Sequence, residues 1–319
     1  MKTSVIVCAY TEDRWMELGT AITSLQNQSH QADEIVIVID HNPILLKRTQ
    51  RVWPDLTVIP NHLAQGLSGA RNSGISVTSG DIILFIDEDA YAAANWIETL
   101  LEAYADPAVI GAGGSIIPQW HKSRPNWFPG EFNWVVGCTY TGLPETPQPV
   151  RNLIGCNMSF RREAFETVGL FRDGIGRIGT VPLGCEETEL CIRITQELPQ
   201  NKLIHLPDAQ VFHFVPEQRH SLQYFRKRCF AEGISKAAIS YFIGHQDAIT
   251  TEQIYVRKVL PQGVAKGIFA FIKQSESGGL GKAASIIFGF LTTLSGYVWG
   301  NLSHIYNRKT NSPMMRKQA

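Results

Sequence analysis

Three carboxylates stand together at Asp87-Glu88-Asp89, directly after the apolar run Ile82-Ile83-Leu84-Phe85-Ile86. The run is too short for a free-standing helix and rich in β-branched residues, so it reads as a strand buried on both faces. Carboxylates leaving such a strand repel one another and are costly to bury unless a cation or hydrogen-bond donors meet them. In strand-like backbone Asp87 and Asp89 point one way and Glu88 the other, so Asp-x-Asp presents two hard oxygen ligands from one edge. That donor set suits Mg²⁺ or Mn²⁺ carrying substrate phosphates. A solvated turn or an acidic helix N-terminus would use the same triplet, and the surroundings must separate these readings.

A second acidic pair, Glu186-Glu187, follows the glycine-rich loop Gly174-Ile175-Gly176-Arg177-Ile178-Gly179. Acids at a helix start are stabilised by its dipole, and a flexible loop before paired acids is also the pattern of a lid that delivers a carboxylate. Arg71 lies within Gly69-Ala70-Arg71-Asn72-Ser73-Gly74. Small residues there let a helix begin close to a ligand, where a forked cation reaches a phosphate or a base; a solvated arginine is the alternative. His213 ends the apolar run 209–214, a place for a metal or phosphate contact or for a structural histidine, and the basic residues Arg219, Arg226, Lys227 and Arg228 follow. The six cysteines, Cys8, Cys138, Cys156, Cys185, Cys191 and Cys229, form no CxxC pair and no zinc-ligand spacing, and read as thiols.

The elements that must position these groups alternate. Strand-like runs occur at 4–9, at 34–39 ending in Asp40, and at 56–60, with helical periodicity over 12–28 carried by Trp15, Leu18, Ile22 and Leu25. Apolar strands spaced by helices predict a parallel sheet covered on both faces, whose ligands sit beyond the carboxyl ends of the strands. Ala9-Tyr10-Thr11, Asp40 and the acidic triplet all fall at those ends. The second half differs. Residues 111–118 read as flexible, and 120–149 hold Trp120, Trp127, Phe128, Phe132, Trp134 and Tyr140 without a clear period, which fits a packed lid or a stacking surface for a sugar or lipid acceptor. A strand at 153–160, a helix at 161–168 and two strands at 203–205 and 209–214 near a sheet edge complete the prediction. From about Ile234 strand signals cease. Residues 283–303 carry no charge and are flanked by Lys282, Arg308 and Lys309, as expected of an interfacial helix, a weak membrane span or a buried core helix.

The 319 residues are 44% hydrophobic and 18% charged, enough for a folded α/β protein with a sizeable core. Lys+Arg of 29 balance Asp+Glu of 29, so no global field draws the chain to nucleic acid or to an anionic membrane. Met1-Lys2-Thr3-Ser4 enters a strand at once without a signal-peptide pattern, and a cytoplasmic location is expected.

Taken in order, the segments 4–11, Asp40, 69–74, 85–90, Gly155-Cys156-Asn157-Met158-Ser159-Phe160-Arg161-Arg162 and Glu186-Glu187-Thr188-Glu189-Leu190 resemble the inverting family 2 glycosyltransferases of the GT-A fold, over roughly residues 4–233. The resemblance implies a Rossmann-like, mostly parallel sheet flanked by helices. It makes residues 1–233 a catalytic domain, with its nucleotide-sugar half to about 115 and its acceptor half from 116, and leaves 234–319 as a C-terminal helical extension, for which the apolar run at 283–303 leads to an expected peripheral contact with the cytoplasmic face of a membrane. It implies a nucleotide-sugar donor, most often a UDP-sugar, a glycan or lipid-linked acceptor and Mg²⁺ or Mn²⁺. By position, Ala9, Tyr10, Thr11 and Asp40 would hold the base, and Arg71, Asp87 and Glu88 the rest of the donor. Asp89, with Asp87 and His213, would hold the metal. The family usually has Glu-Asp where this chain has Glu186-Glu187, so Glu187, one methylene longer, takes the place of the catalytic base, with Glu186 beside it. Residues 213–219 and 228–237 resemble the subset that includes archaeal lipid-linked glucuronosyltransferases. A sugar nucleotidyltransferase shares such a sheet but opens with a Gly-rich loop and an arginine that Cys8-Ala9-Tyr10-Thr11 lacks. A non-catalytic carbohydrate-binding protein would have no use for Asp87, Asp89 and Glu187 together.

Overall fold

The structure is a computed structural model that describes residues 1–172, 184–243, 252–274 and 277–310. The glycine-rich loop at 174–179 lies outside the described residues. Strands β1 (Thr3–Ala9), β2 (Glu34–Ile39), β3 (Thr57–Pro60), β4 (Ile82–Asp87), β5 (Ala90–Ala92), β6 (Val109–Trp120), β7 (Gln148–Val150), β8 (Asn157–Arg161) and β9 (Lys202–Val215) form one sheet. Its order is β3-β2-β1-β4-β8-β6-β9-β5, with β7 paired to β9.

The apolar runs behave as their composition demands. All seven residues of β1 are buried, because helices cover both faces of the sheet. On one face Val5, Val7, Ile37 and Leu84 pack with α1 (Trp15–Gln26) and α4 (Trp96–Ala103). On the other, Ile6, Val38 and Phe85 meet α3 (Leu67–Val77), α5 (Arg162–Val168) and α6 (Glu186–Glu197). Each such side chain contributes about 1.5–3 kcal/mol of burial, so both faces are held firmly beneath the strand ends. Helix α2 (Pro43–Val52) follows β2, with Pro43 at its start and the Asn42 side chain accepting from the Leu45 N–H as its cap. Gly74 lets α3 lie close on the sheet, since a Cβ there would stand 2.7 Å from Ile6 Cγ2.

Parallel pairing holds for β3-β2-β1-β4 and for β6 with β9, whereas β8 runs antiparallel to both β4 and β6, and β5 and β7 antiparallel to β9. No α-helix intervenes between β6 and β8, and without a crossover the returning strand must reverse. The expectation of flexibility at 111–118 is corrected: these residues lie within β6. Their glycines serve close packing, because a Cβ on Gly111 would meet Leu203 at 2.7 Å and Phe160 at 2.8 Å. The two strands expected at 203–205 and 209–214 are one strand, β9, with a register shift against β6 between Gly114 and Ile116. The aromatic segment is mainly packing, with Phe128 and Phe132 fully buried against Phe225 of α7 (Leu222–Ile243).

Helix α7 runs through the expected boundary at 233/234. After the single π-type turn Tyr255–Val259 come α8 (Leu260–Ile272) and the long α9 (Gly279–Thr310). Helices α7 and α9 touch through glycine: a Cβ on Gly233 would fall on the backbone of Thr293 and Tyr297, and one on Gly300 would stand 2.7 Å from Ala237. Such an approach leaves the opposite side of α9 uncovered, where Ile287, Leu291, Leu294, Val298, Trp299 and Leu302 are exposed.

Candidate functional site

A cavity of about 580 Å³ opens beyond the carboxyl ends of β1, β2 and β4. Ala9, Tyr10 and Asp40 line it, whereas Thr11 does not belong to this wall. Its hydroxyl instead accepts the Asp13 N–H at 3.2 Å and caps the 3₁₀ turn Glu12–Arg14. Asp40 is held by the Asn61 side-chain amide at 2.6 Å and by the Gly66 N–H at 3.0 Å, which fixes the start of α3 against the end of β2.

The acidic triplet departs from simple alternation. Strand β4 ends at Asp87 and the chain turns through Glu88-Asp89, so Glu88 does not point away from its neighbour. One Arg14 nitrogen lies 2.7 Å from Glu88 and 3.0 Å from Asp89. Burial pushes the Glu88 carboxyl up, and despite the opposing pull of Arg14 it stands at about 7. Asp89 is the more heavily countered. Burial pushes it up too, but His213 Nε2 at 3.3 Å, Arg14 and Arg219 Nη2 at 3.5 Å together hold it well below the usual carboxylate range. Its backbone carbonyl accepts the Phe214 N–H at 2.8 Å, which ties the triplet to β9 next to His213. Burial pushes the His213 imidazole down, and the Asp89 charge more than reverses this, to about 10.

Ligand atoms of Asp87, Asp89 and His213 all lie within 4.8 Å of one another. Two carboxylates and an imidazole are a donor set that fits Mn²⁺ or Mg²⁺, with open positions for substrate oxygens. The structure brings together the three residues that the resemblance implies as metal ligands. Missing from that reading were Arg14, in the 3₁₀ turn Glu12–Arg14, and Arg219, noted only as part of a basic run. The signal for both was the acidic triplet itself, since buried carboxylates call for cations.

Arg71 is buried at 2% exposure and faces three groups at once. Nη1 donates to Glu186 Oε1 at 3.0 Å, Nη2 donates to the Gly155 carbonyl at 3.1 Å, and Nη2 lies 3.6 Å from Asp87 Oδ1. The bare Gly155 makes room, as a Cβ there would stand 2.8 Å from the guanidinium. Glu186 is thereby paired. Glu187, one residue on, lines the cavity and forms no ion pair among the described residues. Burial pushes its carboxyl up, the Glu186 charge adds to this, and Arg71 pulls back only in part, leaving it at about 8. Glu189 is turned away from the cavity and grips Arg193 at 2.7 Å.

The residue before this pair, Cys185, has φ of 78°, a left-handed backbone unusual outside glycine, with a strain of about 1–3 kcal/mol. Its surroundings hold it there. Cys185 Sγ donates to Glu232 at 3.4 Å and the Gly184 N–H donates to Ser235 Oγ at 3.2 Å, so the start of α6 is moored on α7.

Residues 4–169 match the family described as Glycosyl transferase family 2. The glucosyl-dolichyl phosphate glucuronosyltransferase of Haloferax volcanii is 31% identical over 319 residues, spanning 98% of this chain and 100% of that protein. In fold, the mannosyltransferase PcManGT from Pyrobaculum calidifontis, solved in complex with GDP-Man and Mn²⁺, aligns with a TM-score of 0.57 at 18% identity over 92% of this chain and 87% of that one. GalNAc-T7, solved with UDP, GalNAc and Mn²⁺, aligns with a TM-score of 0.51 at 18% identity over 77% of this chain and 54% of that one. The two solved structures establish a GT-A glycosyltransferase architecture, and the sequence match, with a relative alike from end to end, establishes that this chain belongs to glycosyl transferase family 2.

Proposed function

We propose that the protein is an inverting glycosyltransferase that moves a sugar from a UDP-sugar to a hydroxyl group of a lipid-linked or glycan acceptor, with Glu187 as the base. The observation that carries this reading is the unequal treatment of the two glutamates: Arg71 neutralises Glu186, while Glu187 faces the cavity unpaired and with a raised pKa of about 8. A base poised near neutrality is what proton removal from a hydroxyl requires.

Asp40, Ala9 and Tyr10 form the wall for the nucleoside, and Arg71, beside Asp87, supports the diphosphate end. Asp87, Asp89 and His213 would hold Mg²⁺ or Mn²⁺, which when bound supplies Lewis-acid stabilisation of charge on the leaving diphosphate. Glu187 accepts the acceptor's O–H proton as that oxygen forms a bond to the anomeric carbon, and the anomeric C–O bond breaks with its electron pair leaving on the diphosphate. A single displacement inverts the anomeric centre, in analogy with inverting glycoside hydrolysis. Residues 1–233 would supply this chemistry, and the exposed apolar side of α9 would rest on the cytoplasmic face of a membrane beside a lipid-linked acceptor. The stretch Gly279–Ser303, whose one charged residue is Lys282 and whose most apolar 18-residue window has mean hydropathy 1.3, favours lying on the membrane over spanning it, because its opposite side is packed against α7.

Glu187→Gln should reduce transfer by about a thousandfold or more while leaving UDP affinity within about twofold, as expected for loss of a general base and not of a binding group. Wild-type turnover by that variant, measured as nucleotide release with acceptor present, would remove Glu187 from the mechanism.

A further inference from the structure

Glu187 owes its aim to the backbone beneath it. Its neighbours Glu186, Thr188 and Glu189 are buried, whereas Glu187 is half-buried, lines the cavity and forms no ion pair among the described residues. Glu186 is gripped by Arg71 and Glu189 by Arg193. With no such grip of its own, the Glu187 carboxyl points where the first turn of α6 sends it.

That turn starts from an unusual residue. Cys185 is the N-cap of α6, a position where the backbone is ordinarily extended and the side chain ordinarily accepts from the free N–H groups of the helix. Here φ is 78° and ψ is 13°, and the side chain makes no capping bond. Sγ is turned instead to α7, where it donates to Glu232 Oε1 at 3.4 Å and packs with Ile192 and Ile239. The Gly184 N–H donates to Ser235 Oγ at 3.2 Å, and this hydroxyl donates its own proton to the Ala231 carbonyl at 3.0 Å. A left-handed residue other than glycine persists only where its surroundings hold it, and such strain gathers at functional sites.

The part of α7 that holds the turn is itself fixed on two sides. Glu232 Oε1 lies 3.5 Å from Lys236 Nζ, which lies 2.6 Å from Glu252 Oε1, and Arg151 Nη1 lies 2.6 Å from Glu252 Oε2. Gly233, between the two mooring residues, sits so close to α9 that a Cβ there would fall on the backbone of Thr293.

We infer that Cys185 and Ser235, with Glu232, are positioning residues for the proposed base: they hold a left-handed turn on α7 that aims Glu187 into the cavity. This rests on the glycosyltransferase reading and deepens it, since it states what sets the base in place. Without either bond the backbone at 185 relaxes toward an ordinary conformation, the first turn of α6 reorients, and the carboxyl leaves its place.

The test uses the full chain without substrate and reads the Glu187 carboxyl as its ¹³C resonance in a pH titration, the resonance being the one that Glu187→Gln deletes. Burial is the largest cause of this carboxyl's raised pKa, and the charges that act on it are those of Glu186, Arg71 and Glu232. Cys185→Ala and Ser235→Ala each remove one mooring bond and change none of those charges, since burial keeps the Cys185 thiol protonated. Each should lower the Glu187 pKa by about one unit or more, a tenfold change in its ionisation constant, as the carboxyl moves toward water. Cys185→Ser keeps a donor for Glu232 and should stay within about threefold of the wild-type constant. Cys185→Gly separates aiming from folding. It should lower the pKa as alanine does, yet unfold at a higher urea concentration than Cys185→Ala, because glycine takes the left-handed conformation freely. A raised wild-type pKa that neither alanine variant lowers overturns the inference, and so does a fall in Cys185→Ser as large as that in Cys185→Ala. Wild-type turnover by Glu187→Gln would instead strike at Glu187 as the base, and the two failures are told apart because the titration is read without donor or acceptor.

Discussion

If Glu187 is the base, as proposed, transfer should switch on as pH rises, with the limb set by the burial of that carboxyl and by its two charged neighbours. Burial pushes the Glu187 carboxyl up, the Glu186 charge adds to the shift, and Arg71 opposes it, for a value of about 8. A base with this pKa is about one-tenth ionised at pH 7, so kcat/KM should climb about tenfold between pH 7 and an alkaline plateau. Glu186→Gln tests the cause. Removing that charge takes away the second contribution and frees Arg71 to act more fully on Glu187, so the limb must move toward acid. The gain at pH 7 is bounded by the ionised fraction still to be recovered, about tenfold or 1.4 kcal/mol. Initial rates of nucleotide release from about pH 6 to about pH 9, at saturating Mn²⁺ and low acceptor concentration, resolve both effects. A flat wild-type profile over that range, or an alkaline move of the limb in Glu186→Gln, would refute the electrostatic account of the base.

Other expectations follow from the same geometry. Arg71→Met strands the buried Glu186 carboxylate and should lower unfolding stability by about 3–5 kcal/mol, seen as a fall in the urea midpoint; an unchanged midpoint would show that Glu186 finds its compensation elsewhere. Asp89→Asn should weaken Mn²⁺ binding by about tenfold or more in a direct titration, since one of two hard oxygen ligands loses its charge, and an identical isotherm would count against the metal assignment. Replacing Leu291 and Val298 by Gln, both exposed on α9 and outside the packed core, should cut partitioning onto anionic vesicles about tenfold or more without changing the thermal midpoint. Undiminished vesicle binding would place membrane contact elsewhere on the chain.

Most of the N-terminal half was legible in the sequence because its determinants are local. The runs at 4–9, 34–39 and 82–86 are buried on both faces, and each reads as strand from composition alone. The long β6 was not legible, since its glycines suggested flexibility; they are there because Leu203, Phe160 and the backbone of Ala209 crowd them from other strands, a fact that exists only after folding. The same holds at the site. Asp87, Asp89, His213, Arg71 and the two glutamates were each identifiable as candidates, but their pairing was not. That Arg14 would serve Glu88 and Asp89 together depends on a turn that breaks strand alternation at residue 88.

Arg71 shows why the two consecutive glutamates should not be interchangeable. Its guanidinium is fixed from one side by the Gly155 carbonyl and reaches Asp87 and Glu186 with different nitrogens, so the cation connects the end of β4 to the start of α6. A lysine could not reproduce this, as a single ammonium would have to choose among groups that the planar fork satisfies together. Whatever binds at Asp87 therefore competes for the guanidinium that pairs with Glu186 and that lowers the pKa of Glu187. A metal and a diphosphate arriving together bring opposite charges to that point, and their near cancellation would leave the Arg71–Glu186 pair in place while the donor is loaded. A bare diphosphate would instead draw Arg71 toward itself and weaken its pull on Glu187. On this argument a metal held at Asp87 and Asp89 would protect the ionisation of the proposed base as well as the leaving group, and the metal site and Glu187 would belong to one electrostatic unit although about a hundred residues of sequence separate Asp87 from Glu187.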